Sequence, residues 1–289
     1  MLSILIVNWN TRELLHACLS SIASHPPSMP YEVIVVDNAS TDQSAERCQE
    51  SFPWVKLVAS KVNTGYARGN NMAFHEATGD LLLTLNPDTE VYAGTFDRAI
   101  EHLLAEPRAG ALGVRQVDAK DSHTQASVRG YPSVRGIIGD VTGLGGSLGG
   151  AWDSYRLSRF DYEKAQQAPQ PMGTFLLFRR EALAAIGDPK QPFDESFPIF
   201  FNEVDLLYRL SQAGWHCLYA PDVHILHYGG ESTRQVRKSM IWESHRSLVH
   251  YLRKHYGTGL AGVGLPFLSA VIYTAAFIRA KGYHVGFKA

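Results

Sequence analysis

The chain has 289 residues, 45% hydrophobic and 19% charged, enough for one large core or a core with a small annex. Its formal net charge of −1 argues against a broad electrostatic surface for nucleic acid. Cys18, Cys48 and Cys217 are far apart with no Cys-x-x-Cys pair, which suits a reducing compartment better than a disulfide framework.

Met1 leads directly into the apolar run from Leu2 to Val7, with no basic segment and no small-residue cleavage site. This reads as a first strand, not a signal peptide, and implies cytoplasmic synthesis without export. The strand ends at Asn8-Trp9-Asn10, and Asn10 or Thr11 can cap a helix with Leu14, Leu15, Cys18, Leu19 and Ile22 on its apolar face. A second strand, residues 31–36, stops at Asp37-Asn38-Ala39-Ser40-Thr41-Asp42, where Ser40 or Thr41 starts a helix to about Glu50. A third strand, 55–59, precedes Asn63-Thr64-Gly65-Tyr66-Ala67-Arg68-Gly69-Asn70-Asn71, which opens a helix to about Ala77. The apolar run 81–85 then stops at Asn86-Pro87-Asp88, because Pro87 cannot donate to a sheet ladder. Taken alone, Asp88 reads as the N-cap of an ordinary strand-to-helix turn.

Strand-helix alternation with short connections predicts an α/β fold with a mostly parallel sheet covered on both faces. The polar clusters 8–10, 37–42, 63–71 and 86–88 all follow strand ends, so they fall along one sheet edge and form a single cleft. A helix at 93–104 and a strand at 111–117 follow. The stretch 118–168 is glycine-rich and irregular, and reads as a mobile loop region over the cleft. Its run Gly143 to Gly150 is not a phosphate loop, since no Lys-Ser/Thr follows it. Order returns with a strand at 170–178 and a helix at 180–186. Glu203 and Asp205 lead into a helix at 206–213 closed by Gly214, then come a strand at 215–220, His224, His227 and a basic, aromatic helix at 236–256.

The tail from Gly259 to Ile278 carries no charge and is flanked by Arg253, Lys254, Arg279 and Lys281. Gly259, Gly262, Gly264 and Pro266 weaken its first half as a helix. The preferred reading is a membrane-surface segment. The alternatives are a helix packed on the domain or on a second subunit, which leaves a homodimer open, and a true span.

The joint order of Val7-Asn8-Trp9-Asn10, the 37–42 turn, the 63–71 segment, Asn86-Pro87-Asp88, Asn202-Glu203-Val204-Asp205-Leu206 and His227-Tyr228-Gly229-Gly230 resembles the inverting family 2 glycosyltransferases of GT-A fold. It is most similar to the rhamnosyltransferase-like branch. The resemblance covers residues 1–255 and implies a nucleotide-binding half, 1–117, and an acceptor-binding half, 118–255, with 256–289 as an apolar appendage. It implies a nucleotide-diphosphate sugar donor, with dTDP-rhamnose or a UDP-sugar favoured. The implied acceptor is a glycan or polyprenyl-linked saccharide of cell-surface polysaccharide synthesis, met at the cytoplasmic face of the membrane. Mg²⁺ or Mn²⁺ would neutralise the departing diphosphate.

By the same resemblance, Asp88 is the main metal carboxylate, Asn86 stands at the first position of an Asp-x-Asp-type turn, and His227 is a second metal or phosphate ligand. Asp37 would read a uracil or thymine ring or the ribose. Asn8, Asn10, Asn63, Gly65, Arg68 and Asn70 would complete the base and diphosphate pocket. Glu203, a glutamate where the family places an aspartate, is the implied general base. Asp205 is expected to make structural contacts, and its proximity to raise the Glu203 pKa. The Gln-x-x-Arg-Trp motif of processive members is absent, so one sugar per encounter is expected. Competing readings are a sugar-nucleotidyltransferase, which lacks its Gly-rich Lys/Arg loop here, and a sugar-nucleotide-binding protein without transfer activity. A zinc site of Cys217, His224 and His227 has irregular spacing and no fourth ligand.

Overall fold

The computed structural model describes residues 1–118, 123–142, 149–229 and 237–282. The first half follows the predicted alternation: β1 (Leu2–Asn8), α1 (Arg12–Ser24), β2 (Tyr31–Asp37), α2 (Ser44–Ser51), β3 (Lys56–Ala59), α3 (Tyr66–Glu76) and β4 (Leu81–Leu85). These four strands are parallel in the order β3-β2-β1-β4. Every residue of β1 is buried, as expected of a strand covered on both faces. Alternate side chains serve two cores: Leu2, Ile4 and Ile6 face α1, while Leu5 and Val7 face α3.

Asp88 caps no helix. A short strand, β5 (Thr89–Val91), follows it, and α4 (Thr95–Ala105) starts only after Gly94 at φ +76°. Likewise α2 starts at Ser44, not at Ser40 or Thr41, because those two residues are bonded to Asn8 and Asn10 across the turn.

The second half departs from a parallel layout. β6 (Ala109–Asp118) and β11 (His216–His227) are parallel to each other, but β10 (Phe175–Arg179) is inserted antiparallel between β4 and β6. β5 is also antiparallel to β11, so the sheet is mixed. Among the described residues it has nine strands, ordered β3-β2-β1-β4-β10-β6-β11-β5, with β8 (Gln166–Gln167) beside β11. The insertion preserves the cleft, because the carboxyl ends of β1, β2, β4, β6 and β11 still share one edge. β10 begins at that edge, where the Asn86 N–H donates to Thr174 O at 2.9 Å.

The irregular region holds β7 (Val128–Arg129) paired with β9 (Gln170–Pro171), and α5 (Val134–Thr142). The glycine run 143–150 lies mostly outside the described residues. Beyond β10 come α6 (Arg180–Ala184) and α7 (Asn202–Gln212), which begins four residues earlier than predicted and ends with Gly214 at φ +82°.

The chain closes with α8 (Arg237–Tyr256) and α9 (Gly259–Ala280). The glycines and Pro266 do not prevent α9. Leu265, Leu268 and Ile272 pack with Leu248, Val249, Tyr251 and Leu252 of α8. Burying three such side chains contributes roughly 1.5–3 kcal/mol each, against about 3 for a helical proline and about 1 per glycine.

Candidate active site

At the β1 and β2 ends, the predicted polar residues bond to one another. Asn8 Nδ2 donates to Asp37 Oδ1 at 3.0 Å, and the Ser40 N–H donates to Asp37 Oδ2 at 2.9 Å. Asn8 Oδ1 accepts from Thr11 at 2.6 Å. Both Asn8 and Asp37 are buried, so they brace the edge and leave little polar surface for a ligand. Asn10, in the left-handed region at φ +52°, takes the Thr41 N–H on its side-chain oxygen. It lines a cleft of about 450 Å³ with Arg12, Glu13, Thr41 and Asp42.

Next along the edge, Asn63 accepts the Gly65 N–H at 3.0 Å, and Asn38 bonds both Thr64 and Gly65. Gly65 sits at φ +84° with its α-carbon tight against Pro198: an added Cβ would lie 2.7 Å from Pro198 O. That oxygen accepts the first N–H groups of α3, from Tyr66 at 2.6 Å and Ala67 at 3.1 Å. Asn70 is buried and turns back to the Tyr66 carbonyl. Arg68, two residues after Tyr66 on α3, is exposed, lies 3.8 Å from Glu195 and lines a cleft with Asn71, His75 and Gln191.

Tyr66 is the residue that the sequence reading passed over. Its hydroxyl donates to Asn86 Oδ1 at 3.0 Å and lies 3.3 Å from Gly173 O. Burial, then the charges of Glu203 and Asp88, push the phenol well above its ordinary range. Thus α3, the β4 turn, the start of β10 and α7 meet at one point. Gly173 lies beside Glu203: a Cβ added there would meet Glu203 Cγ at 3.4 Å, an ordinary contact distance.

Asp88 is nearly buried, and its carbonyl accepts the Tyr228 N–H at 3.0 Å. Its Oδ2 lies 3.6 Å from His227 Nε2. Gln125 holds His227 twice: Gln125 Nε2 donates to His227 O at 3.1 Å, and Gln125 Oε1 sits 2.9 Å from Nδ1. Burial lowers the His227 pKa despite Asp88 and Asp118 nearby, so the ring is neutral. An amide oxygen only accepts, so the proton is assigned to Nδ1 and the Nε2 lone pair faces the Asp88 carboxylate. Two facing acceptors suit a cation between them. Among the described residues no group of three His, Cys, Asp or Glu side chains is placed to hold a metal. Asp88 and His227 could supply two ligands, so a cation there would need its others from elsewhere. Cys217 and His227 are ten positions apart on the extended strand β11, and the His224 ring instead lies 4.8 Å from that of Tyr92, so the zinc reading fails.

Glu203 lies in the first turn of α7, after Phe201 in the left-handed conformation at φ +66°. As a whole residue it is half-buried. Burial pushes its carboxyl up to about 7, against the pull of its own backbone N–H. Asp205 contributes nothing to that rise, contrary to expectation: two positions on, it faces another side of the helix. Tyr155, from the region after α5, also senses the Glu203 charge.

The fold is of GT-A architecture: a sheet edge of polar turns, with the Glu203 carboxyl raised by burial at the start of α7. Residues 3–187 match the model of glycosyl transferase family 2, and the chain belongs to that family. It is a glycosyltransferase of rhamnosyltransferase-like type. It is 29% identical over 275 residues to the N-acetylglucosaminyl-diphospho-decaprenol L-rhamnosyltransferase of Mycobacterium tuberculosis, covering 89% of this chain and 86% of that one. A rhamnosyltransferase of Escherichia coli is 23% identical, with 78% and 83% covered. In fold, it resembles a mannosyltransferase from Pyrobaculum calidifontis solved with GDP-mannose and Mn²⁺, with TM-score 0.58 and 20% identity over 98% of this chain and 75% of that one. TarS of S. aureus solved with UDP gives TM-score 0.55 at 15% identity, with 96% and 78% covered.

Proposed function

We propose that the protein moves a sugar, with inversion, from a nucleotide-diphosphate donor to a hydroxyl of a polyprenyl-linked saccharide in cell-surface polysaccharide synthesis. The donor favoured is dTDP-rhamnose, with a UDP-sugar second; the relatives' names support rhamnose as the sugar. The observation that carries the reading is the buried Glu203 carboxyl, held up to about 7, facing the same point as the Asn86-Pro87-Asp88 turn.

In this reading residues 1–117 hold the nucleotide and residues 118–255 the acceptor. Glu203, ionised, removes the proton of the acceptor hydroxyl as the oxygen attacks the anomeric carbon. Tyr66 keeps the Asn86 amide turned to the cleft. Asn10 borders the base and ribose, with Asp37 bracing that edge from beneath, and the turn of Asn63 and Gly65 closes over the diphosphate, while Asn70 supports α3 from within. Asp88 and His227 would hold Mg²⁺ or Mn²⁺, which supplies Lewis-acid neutralisation of the leaving diphosphate.

The acceptor lipid brings the enzyme to the cytoplasmic face of the membrane. Val263, Phe267 and Phe277 are exposed on α9, opposite the face that packs on α8, and Arg279 and Lys281 end the helix. That stripe lies on the lipid surface as a peripheral contact. By length and composition a 19-residue part of α9 could also cross a membrane, but a third of it is buried against protein, which favours the surface.

The test is transfer assayed with Mn²⁺ or Mg²⁺, a panel of dTDP-, UDP- and GDP-sugars, and a short-chain polyprenyl diphospho-N-acetylglucosamine acceptor. Release of one nucleoside diphosphate with a matching glycosylated lipid supports the reading. Donor binding without release would leave a sugar-nucleotide-binding protein instead.

A further inference from the structure

Asp205, two residues beyond Glu203, is fully buried and takes three side-chain donors. Its Oδ2 accepts from Arg209 Nε at 2.8 Å, one turn along α7. Its Oδ1 accepts from two consecutive residues of α8, Lys254 Nζ at 2.6 Å and His255 Nε2 at 2.8 Å. Lys254 also bonds Asp194 Oδ2 at 2.7 Å and lies over the Phe197 ring. Asp194 and Phe197 belong to the connection that enters α7, the same connection whose Pro198 carbonyl receives the first N–H groups of α3. The His255 ring packs 4.6 Å from both Tyr208 and Tyr251. Burial alone would raise the Asp205 carboxyl, yet His255, Lys254 and Arg209 together hold it below its ordinary range.

The first turn of a helix has N–H groups without intrahelical partners, so its direction depends on outside contacts. Here that turn carries Glu203 and follows a residue with positive φ. Its contacts include those that Asp205 makes with α8. We propose that Lys254 and His255 are positioning residues for the transfer reaction: by clamping Asp205 they fix the first turn of α7 and hence the aim of Glu203 into the cleft. This rests on the reading of Glu203 as general base. It also makes α8 a working part of the site, acting through Asp205.

The full-length protein is assayed with dTDP-rhamnose and the short-chain lipid acceptor, with dTDP affinity and thermal melting measured in parallel. Lys254→Met and His255→Phe should each lower kcat by about 10- to 100-fold, the range expected when a reacting group is displaced by about 1 Å. Affinity for dTDP and the acceptor KM should stay within about twofold of wild type, and Lys254→Arg should restore most of kcat. Should Lys254→Met fail to fold, His255→Phe carries the test, since it keeps the Lys254–Asp205 pair. Wild-type kcat in the folded variants, or a loss of kcat matched by an equal loss of dTDP binding, overturns the proposal. Glu203→Gln separates the two failures. If it transfers at the wild-type rate, the base assignment falls first. If it is inactive while both α8 variants turn over normally, only the positioning proposal falls.

Discussion

A carboxyl group held up to about 7 titrates in the range where a general base is most effective. With Glu203 as the base, kcat rises with pH through an apparent pKa near 7, and Glu203→Gln lowers it by about 10²- to 10⁴-fold with dTDP binding retained. A pH-independent kcat between 5 and 8 would contradict the assignment. The same burial has a cost in stability. Folded Glu203 keeps its proton where the unfolded carboxyl, near 4.5, has lost it, so stability falls as pH rises from about 4.5 to 7. Glu203→Gln removes that penalty, at most about 3 kcal/mol. Its melting temperature should exceed wild type at pH 8 and match it near pH 4. At the other side of the cleft, Asp88→Ala should abolish both transfer and the Mn²⁺ dependence of dTDP affinity, read by calorimetry. The Asn86-Pro87-Asp88 turn and the carboxylates Glu203 and Asp205 at a helix start were legible in the sequence, because turn residues and helix starts are local signals. The direction of Arg68 depends on which face of α3 turns inward, which no local pattern gives. Gln125 carried no signal: it bonds His227 across 102 positions.

The turn before α3 joins two elements through one carbonyl. Pro198 O receives the Tyr66 and Ala67 N–H groups and closes on Gly65. Gly65→Ala combines a side chain at φ +84° with a 2.7 Å approach to that oxygen. It should cost roughly 1–3 kcal/mol in thermal melts. It should also weaken dTDP binding, because relief of the clash moves α3 and Tyr66. A variant with unchanged melting would show that the connection yields freely. Local patterning sufficed to place β1 through β4 and their helices, since alternation and turn residues act within a few positions. It did not reveal β10 as antiparallel or β5 as a strand at all. Those pairings join segments about 90 and 135 residues apart, and an apolar run of five residues reads the same in either direction.

The C-terminal helices connect the site to its surroundings. One face of α9 completes the core shared with α5, α7 and α8, while Phe267 and Phe277 look outward. Replacing both with serine should reduce co-sedimentation with anionic vesicles by at least about tenfold, since each ring contributes roughly 1.5–3 kcal/mol when buried in lipid. The kcat on a water-soluble acceptor should not change. Vesicle binding equal to wild type would exclude the lipid contact, and a dimer that the substitutions dissociate would assign the stripe to a second copy. From its sequence alone, this chain specified a sheet edge with four polar turns, the Asn86-Pro87-Asp88 turn among them, and a carboxylate at a helix start. Periodicity and turn chemistry are local and survive without a partner. Folding alone could set Glu203 and Tyr66 against the Asp88 turn, and seat α8 on Asp205. Those meetings join residues far apart in the chain, and they follow from which faces pack together, a property no short window of residues contains.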